Sequence, residues 1–417
     1  MHKPSLFEHH ASRAVAGRVF RRAVCGGLLA LAAAAAWAEL PPIIDRQLFF
    51  GDPEIAGSQI SPDGKFIAFV KPLDGTRNVW VKHTEDPFEK ARPITADTKR
   101  PIPGYFWSRD GKFILFVQDQ GGDENYNVYA VDPAASPASG QKVPAARNLT
   151  EAKKVRAEIF AVPKTDPDTI YVGLNDRDPA WHDLYKVKIS TGERTLLRKN
   201  TERLTYWVFD RKGQLRLATR SAENGDTEVL RVDADGFKKV YSCSVFETCQ
   251  PVRFHKDGQH VYMITNKGDA DLIRLVLFDP ATGSEELVES DPQGRVDFEG
   301  PLFSERTDDL IATSYLDDKI RIYWKDKAFA ADYALLQKKL PGKEVSFGSS
   351  TRDEHLFIVS AASDTEPGES YLFDRGSKKL TLQYRVREKL PRQDLAEMKA
   401  IRYKSSDGLE IPAYLTL

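Results

Sequence analysis

The stretch Ile60-Ser-Pro-Asp-Gly-Lys-Phe-Ile-Ala-Phe-Val70 returns, almost residue for residue, as Trp107-Ser-Arg-Asp-Gly-Lys-Phe-Ile-Leu-Phe-Val117. In both copies Asp-Gly marks a tight turn, because glycine accepts positive φ and the aspartate side chain bonds nearby backbone. The residues that follow are mostly aromatic or β-branched, as in a strand. A strand-turn-strand unit recurring every ~40 to 50 residues is the spacing of a β-propeller blade. One such unit cannot bury its faces alone, so the number of further copies decides the fold.

Seven units can be traced: Gln59–Thr95, Tyr105–Thr150, Ile159–Leu197, Thr205–Val240, Val252–Val288, Gly300–Pro341 and Val345–Tyr384. The fifth restores the opening pattern as Phe254-His-Lys-Asp-Gly258. The third carries an Asp-rich loop at Asp176-Arg-Asp178, between Thr169–Leu174 and Asp183–Ile189. The sixth is the least regular, with a short helix expected over Lys327–Lys339. Intervals of about 45 to 54 residues suit a four-stranded blade. The expected fold is therefore all-β, a seven-bladed β-propeller over residues 59–385. The competing arrangements are a pair of β-sandwiches and a long β-helix, and neither calls for seven units of the same internal order.

Residues 1–38 read as a secretory signal peptide. Arg13, Arg18, Arg21 and Arg22 precede an apolar run from Cys25 to Ala36, and Ala36-Trp-Ala38 is a small-x-small cleavage signal before Glu39. The run is too short to span a bilayer unaided, so no stable membrane anchor is expected. The implied location is periplasmic or secreted. Residues 39–58 form an N-terminal extension whose apolar start, Leu40 to Phe50, needs a covering surface.

The chain has 60 Lys and Arg against 61 Asp and Glu. Removing residues 1–38 takes away five basic side chains and one acidic one, an excess of about five negative charges in the remainder. The charges are interspersed, with no basic face for nucleic acid. Cys243 and Cys249 remain, either as a disulfide, which export favours, or as two buried thiols. His255 and His260 lie near them, but the spacing matches no structural zinc pattern.

No Gly-x-Ser-x-Gly elbow, His-Glu-x-x-His, P-loop or dinucleotide fingerprint occurs. No catalytic residue, cofactor or metal ligand can be assigned. His83, His182, His255, His260 and His355 sit in or beside strands and turns, where surface or structural roles suffice. Gly121-Gly-Asp-Glu-Asn125 and Asp176-Arg-Asp178 read as turns before they read as cation sites. Asn148-Leu-Thr150 matches a glycosylation acceptor and equally a blade-closing turn.

After the seventh unit, residues 386–399 read as a linker with Pro391. Residues 400–417 then form a hairpin around Asp407-Gly408. An isolated hairpin is barely stable, so it is expected to belong to a further sheet.

Taken together, the apolar Leu-Pro-Pro…Leu-Phe-Phe start, Ile60-Ser-Pro-Asp-Gly-Lys-Phe, Gly122-Asp-Glu-Asn125 before Asn127-Val-Tyr-Ala-Val-Asp132, and the terminal Tyr403-Lys-Ser-Ser-Asp-Gly-Leu-Glu-Ile-Pro-Ala-Tyr-Leu415 carry a resemblance. The sequence resembles the N-terminal half of the prolyl oligopeptidase family of serine peptidases, above all its bacterial dipeptidyl- and acylaminoacyl-peptidase branch. The resemblance implies that the hairpin opens an α/β-hydrolase domain, truncated here before its catalytic serine, aspartate and histidine. It also implies that the propeller gates access of short peptides to that domain. The competing function is a non-enzymatic periplasmic propeller scaffold that binds other proteins.

Overall fold

The computed structural model describes residues 42–151 and 153–417. The expected signal peptide, residues 1–38, lies outside the described residues. Seven antiparallel meanders follow one another along the chain. Their first strands are Ala56–Ile60, Gly104–Trp107, Ala157–Ala161, Leu204–Phe209, Cys249–Phe254, Phe298–Phe303 and Glu344–Ser350. Six of the sheets have four strands in sequence order and the sixth has three.

The core is divided into seven interfaces, one between each pair of neighbouring blades. Val79, Val81, Tyr105 and Ile114 join blades one and two. Leu115, Val128, Ile170 and Val172 join two and three. Leu184 and Trp207 lie between three and four, and Leu217 and Phe254 between four and five. Leu275 and Tyr315 lie between five and six, and Phe329 and Phe357 between six and seven. The last interface sets Ile60, Ile67 and Phe69 of the first blade against Ile358 of the seventh. Each sheet thus buries both faces against its neighbours, and the ring closes.

The ring closes without strand exchange, because all four strands of blades one and seven come from their own segments. Side chains and one turn-to-turn backbone bond make the seam instead. The amide of Ile60 donates to Ser349 Oγ at 2.8 Å, and the Ser58 and Ser370 hydroxyls are 2.8 Å apart. The Arg352 amide donates to the Pro62 carbonyl at 2.9 Å.

Blade six ends at Trp324, and the helix Lys327–Lys339 follows where the other blades place a fourth strand. Its Ala, Leu, Gln and Lys content favours helix. Asp326 caps it by accepting from the Ala328 and Phe329 amides at 2.8 and 2.9 Å. Asp332, buried on the helix, accepts from Arg375 Nε at 2.7 Å and Lys378 Nζ at 2.5 Å, tying the helix to blade seven.

One local expectation is corrected. The Asp-rich segment of the third blade is not a loop: the strand runs Thr169–Asp178 and pairs as far as Asp178 with Trp181. Arg177 forks onto buried Asp183, with Nε and Nη2 each 2.7 Å from a carboxylate oxygen, and this continues the ladder past Leu174.

Cys243 ends the fourth blade and Cys249 begins the fifth; their sulfurs are bonded and their Cα atoms lie 6.0 Å apart. The bond closes a short loop, so Cys243→Ala with Cys249→Ala is expected to lower the unfolding free energy by about 2 kcal/mol. Urea denaturation of both proteins without reductant measures this, and coincident curves would rule out a stabilising role.

Met398–Lys404 pairs with Glu410–Thr416 as a separate two-stranded sheet. It touches the ring at a turn of blade seven, where the Met398 amide donates to Asp364 at 2.6 Å, and at a turn of blade six. Arg402 Nη2 donates to Asp317 and Asp318 at 2.6 and 2.8 Å, and Tyr414 Oη donates to the Asp318 carbonyl at 2.9 Å. Ile401, Tyr403, Leu409 and Leu415 of this hairpin are exposed.

Candidate functional site: the turn end of the ring

The repeated turn has a defined chemistry. Ser61 donates its hydroxyl to Asp63 at 2.7 Å and accepts from the Phe66 amide at 3.0 Å. Ser108 does the same with Asp110 and Phe113, at the same two distances. Blade seven repeats it with different residues: Thr351 donates to Asp353 at 2.6 Å and accepts from the Leu356 amide at 3.1 Å. The glycine position has φ +75° at Gly64 and +76° at Gly111, and Glu354 takes that position with φ +57°.

These turns join the first and second strand of each blade, so they gather at one end of the ring. They are stitched to their neighbours. Arg109 Nε donates to the Val162 carbonyl at 3.1 Å, and Thr165 Oγ1 to the Lys212 carbonyl at 3.2 Å. Arg216 donates to the Gly258 carbonyl at 3.2 Å, Lys256 to Asp309 at 2.6 Å, and Ser304 to Glu354 at 2.9 Å.

Most of the turns carry a cation at one register position. The residue two places beyond the first strand is Arg109, Arg211, Lys256 or Arg352 in four blades, and Pro62 and Glu305 in two others. In the third blade it is Pro163, and Lys164 follows.

Blade six is the exception that organises the rest. Elsewhere the turn closes over three residues, as where the Gly64 amide donates to the Ser61 carbonyl at 2.9 Å. In blade six the Asp308 amide donates to the Ser304 carbonyl at 2.9 Å, four residues back. The extra residue leaves Asp308 at the left-handed position, φ +63°, where blades one, two, four and five have Gly and blade seven has Glu354. Aspartate tolerates this backbone better than most side chains.

The Asp308 carboxylate is buried and meets three cations from three other blades: Lys164 at 2.7 Å, Arg211 and Arg253. Glu305, from the same turn, takes Arg109 at 3.0 Å and Lys164 at 3.2 Å. Blades two and three each stand three places from blade six, the greatest separation a ring of seven allows. The ion pairs therefore bridge this end of the ring across its axis.

Charge is not balanced there. Arg109, Lys164, Arg211 and Arg253 are ion-paired with Glu305 and Asp308, an excess of two positive charges, while Asp309, which also acts on Arg211, is paired with Lys256. Burial, then the nearby guanidinium groups of Arg211 and Arg109, hold Arg253 below the usual arginine range, although Glu305 opposes them. Burial pushes the Glu305 carboxyl up, but Lys164 and Arg109 hold it below the usual carboxylate range.

Of the residues singled out in the sequence, His255, His260 and His355 stand in the turns of blades five and seven at this same end, outside the ion-pair cluster. Among the described residues His255 and His260 both meet Asp257, at 2.9 and 2.7 Å, and His355 meets Asp374 at 3.3 Å. None of these pairs carries a serine hydroxyl on the ring. Asp123 accepts the amides of Gln120 and Asn125 at 3.1 Å each, and Asn148 accepts those of Thr150 and Glu151 at 3.0 and 2.9 Å. Both segments are side-chain-capped turns. Trp107, Trp207 and Trp324 pack between blades. Among the described residues no three His, Cys, Asp or Glu side chains gather as metal ligands.

A closed seven-bladed ring with one charged end and a strand pair beyond its last blade defines a large propeller module. No family model matches the chain. In sequence it is 36% identical over 380 residues to dipeptidyl aminopeptidase BIII of Pseudoxanthomonas mexicana, covering 90% of this chain and 53% of that protein. It is 27% identical over 391 residues to dipeptidyl peptidase family member 6 of Caenorhabditis elegans, covering 90% and 51%. In structure it resembles prolyl oligopeptidase B from Galerina marginata, with a TM-score of 0.58 and 15% identity over 87% of this chain and 55% of that one. A structure from work on two prolyl endopeptidases gives a TM-score of 0.57 with 15% identity, over 87% and 54%. The chain's fold is that of a prolyl oligopeptidase propeller, and its sequence is similar to about half of a dipeptidyl aminopeptidase. The chain spans about half the length of the relatives it matches.

Proposed function

We propose that this propeller is the substrate-gating portion of an exported serine peptidase that acts on short peptides. The observation that carries the reading is the match over nine-tenths of the chain to one half of a dipeptidyl aminopeptidase. Two features of the ring support it. Ion pairs bridge the turn end across the axis, so peptides and the reacting domain meet at the opposite end. The hairpin Met398–Lys404 with Glu410–Thr416 docks through Arg402 and Tyr414 on blade six, and its exposed apolar residues are suited to continue into a further sheet. The propeller's part is steric: a rigid ring admits an extended peptide and excludes a folded protein. The hydrolytic chemistry belongs to a catalytic domain: on the ring His355 and Ser377 each contact Asp374, but no serine hydroxyl is bonded to an imidazole among the described residues.

The test is an assay with short chromogenic dipeptides. The chain alone is expected to give no turnover. Supplied with the hydrolase portion of a related peptidase, it is expected to give turnover confined to short substrates. Hydrolysis by the chain alone, blocked by a serine-directed inhibitor, would overturn the reading.

A further inference from the structure

We propose that the turn end of the ring holds a binding site for a small oxyanion, a carboxylate or a group of phosphate or sulfate size, built from Lys164, Arg211 and Arg253. The site does not depend on the peptidase reading.

Three observations meet there. The first is space: a cavity of about 300 Å³ lies between the turns of blades two to six, with Lys164, Arg211 and Arg253 on its wall and Tyr171, Phe209 and Phe254 beside them. The second is the surplus of two positive charges over Glu305 and Asp308. Other carboxylates nearby are engaged: Asp210 with Arg216 at 3.1 Å and Asp309 with Lys256 at 2.6 Å. Glu354 and Arg352 add one charge of each sign. The third is a donor without a partner. Arg211 gives Nη2 to Asp308, while its Nη1 is enclosed and makes no hydrogen bond.

An enclosed guanidinium nitrogen without an acceptor carries a desolvation cost that an anion would remove. A planar or tetrahedral oxyanion matches the forked donors of Arg211 and Arg253, with Lys164 as a point charge. Asp308 holds the three cations at mutual distances they would not keep alone. The carboxylate is therefore the organiser of the site, and the incoming oxyanion supplies the charge still lacking.

Isothermal titration calorimetry of the purified chain with sodium sulfate, at ionic strength held constant with chloride, is the direct test. One saturable site per chain is expected. Arg211→Gln is expected to weaken it about tenfold or more, the cost of one charge-assisted hydrogen bond. Lys164→Gln serves as a second variant should the first fold poorly. Lys65→Gln, at the same end but in blade one and paired with Asp63, is expected to bind as the wild type does. An acetylated tetrapeptide as free acid, compared with its amide, separates the sources. Binding of the acid alone identifies a peptide carboxylate, and binding of sulfate alone identifies a free inorganic ion. No saturable binding of either, or equal binding by wild type and Arg211→Gln, would overturn the proposal.

Discussion

Asp308→Asn is expected to lower the unfolding free energy of the chain by about 3 kcal/mol, at the lower end of the cost of stranding buried charge. The substitution keeps the shape of the side chain. It also keeps the backbone, since asparagine is among the few residues that accept the left-handed conformation found at Asp308. What it removes is the charge shared by Lys164, Arg211 and Arg253. The three cations then face one another with Glu305 as the carboxylate still ion-paired to them. Their side chains are only about a quarter to a third exposed, between 25% and 30%, so water screens the repulsion poorly. Glu305→Gln is the internal comparison. That side chain is 46% exposed, and its pairs should be worth less than about 1 kcal/mol. Urea denaturation of the three proteins reads both numbers. Equal losses for the two variants would mean that Asp308 is not the hub described here.

Much of the ring could be read from residue order because its signal is local. Ser-Pro-Asp-Gly and Ser-Arg-Asp-Gly encode a turn through one hydroxyl, one carboxylate and one positive φ, all within a few residues. Blade seven escaped that pattern, since Thr351-Arg-Asp-Glu354 builds the same hydrogen bonds without serine or glycine. Reading Thr as equivalent to Ser would have recovered it. The strand through Asp178 was missed for a different reason: its cause is Arg177 meeting Asp183, a contact across the hairpin that local pattern does not reveal. The charged end was the least legible feature. Arg109, Arg211, Lys256 and Arg352 are ordinary surface residues when taken singly. They become a site only once seven turns are superposed and brought to one end of a ring. Asp308 was hidden further by the extra residue in its turn, which makes it look like part of an acidic pair with Asp309. Superposing the units by the end of their first strands would have exposed both the cationic position and the acidic exception.

The second large effect is expected at the seam. Ile358→Ala should cost about 3 kcal/mol, as for other fully buried aliphatic truncations. Its particular consequence is local opening. Six interfaces join blades that the chain connects directly, so a weakened contact there still leaves the blades tethered. The interface between blades one and seven joins the two ends of the ring, and no strand crosses it. It rests on Ile60, Ile67 and Phe69 against Ile358, and on a few bonds such as Ile60 amide to Ser349 Oγ and Ser58 to Ser370. Removing one apolar wall there leaves a few hydroxyl bonds and the Arg352 amide to Pro62 carbonyl bond, which water can replace at little net cost. Leu184→Ala is the matched control, because Leu184 is equally buried between blades three and four, which the chain connects. Native-state hydrogen exchange distinguishes the two. For Ile358→Ala, amides of Ala56–Ile60 and Glu344–Ser350 should lose protection ahead of the remaining blades. For Leu184→Ala, no such early loss should appear at the seam. If both variants exchange in the same pattern, side-chain packing does not hold the ring closed, and the seam has another source of strength.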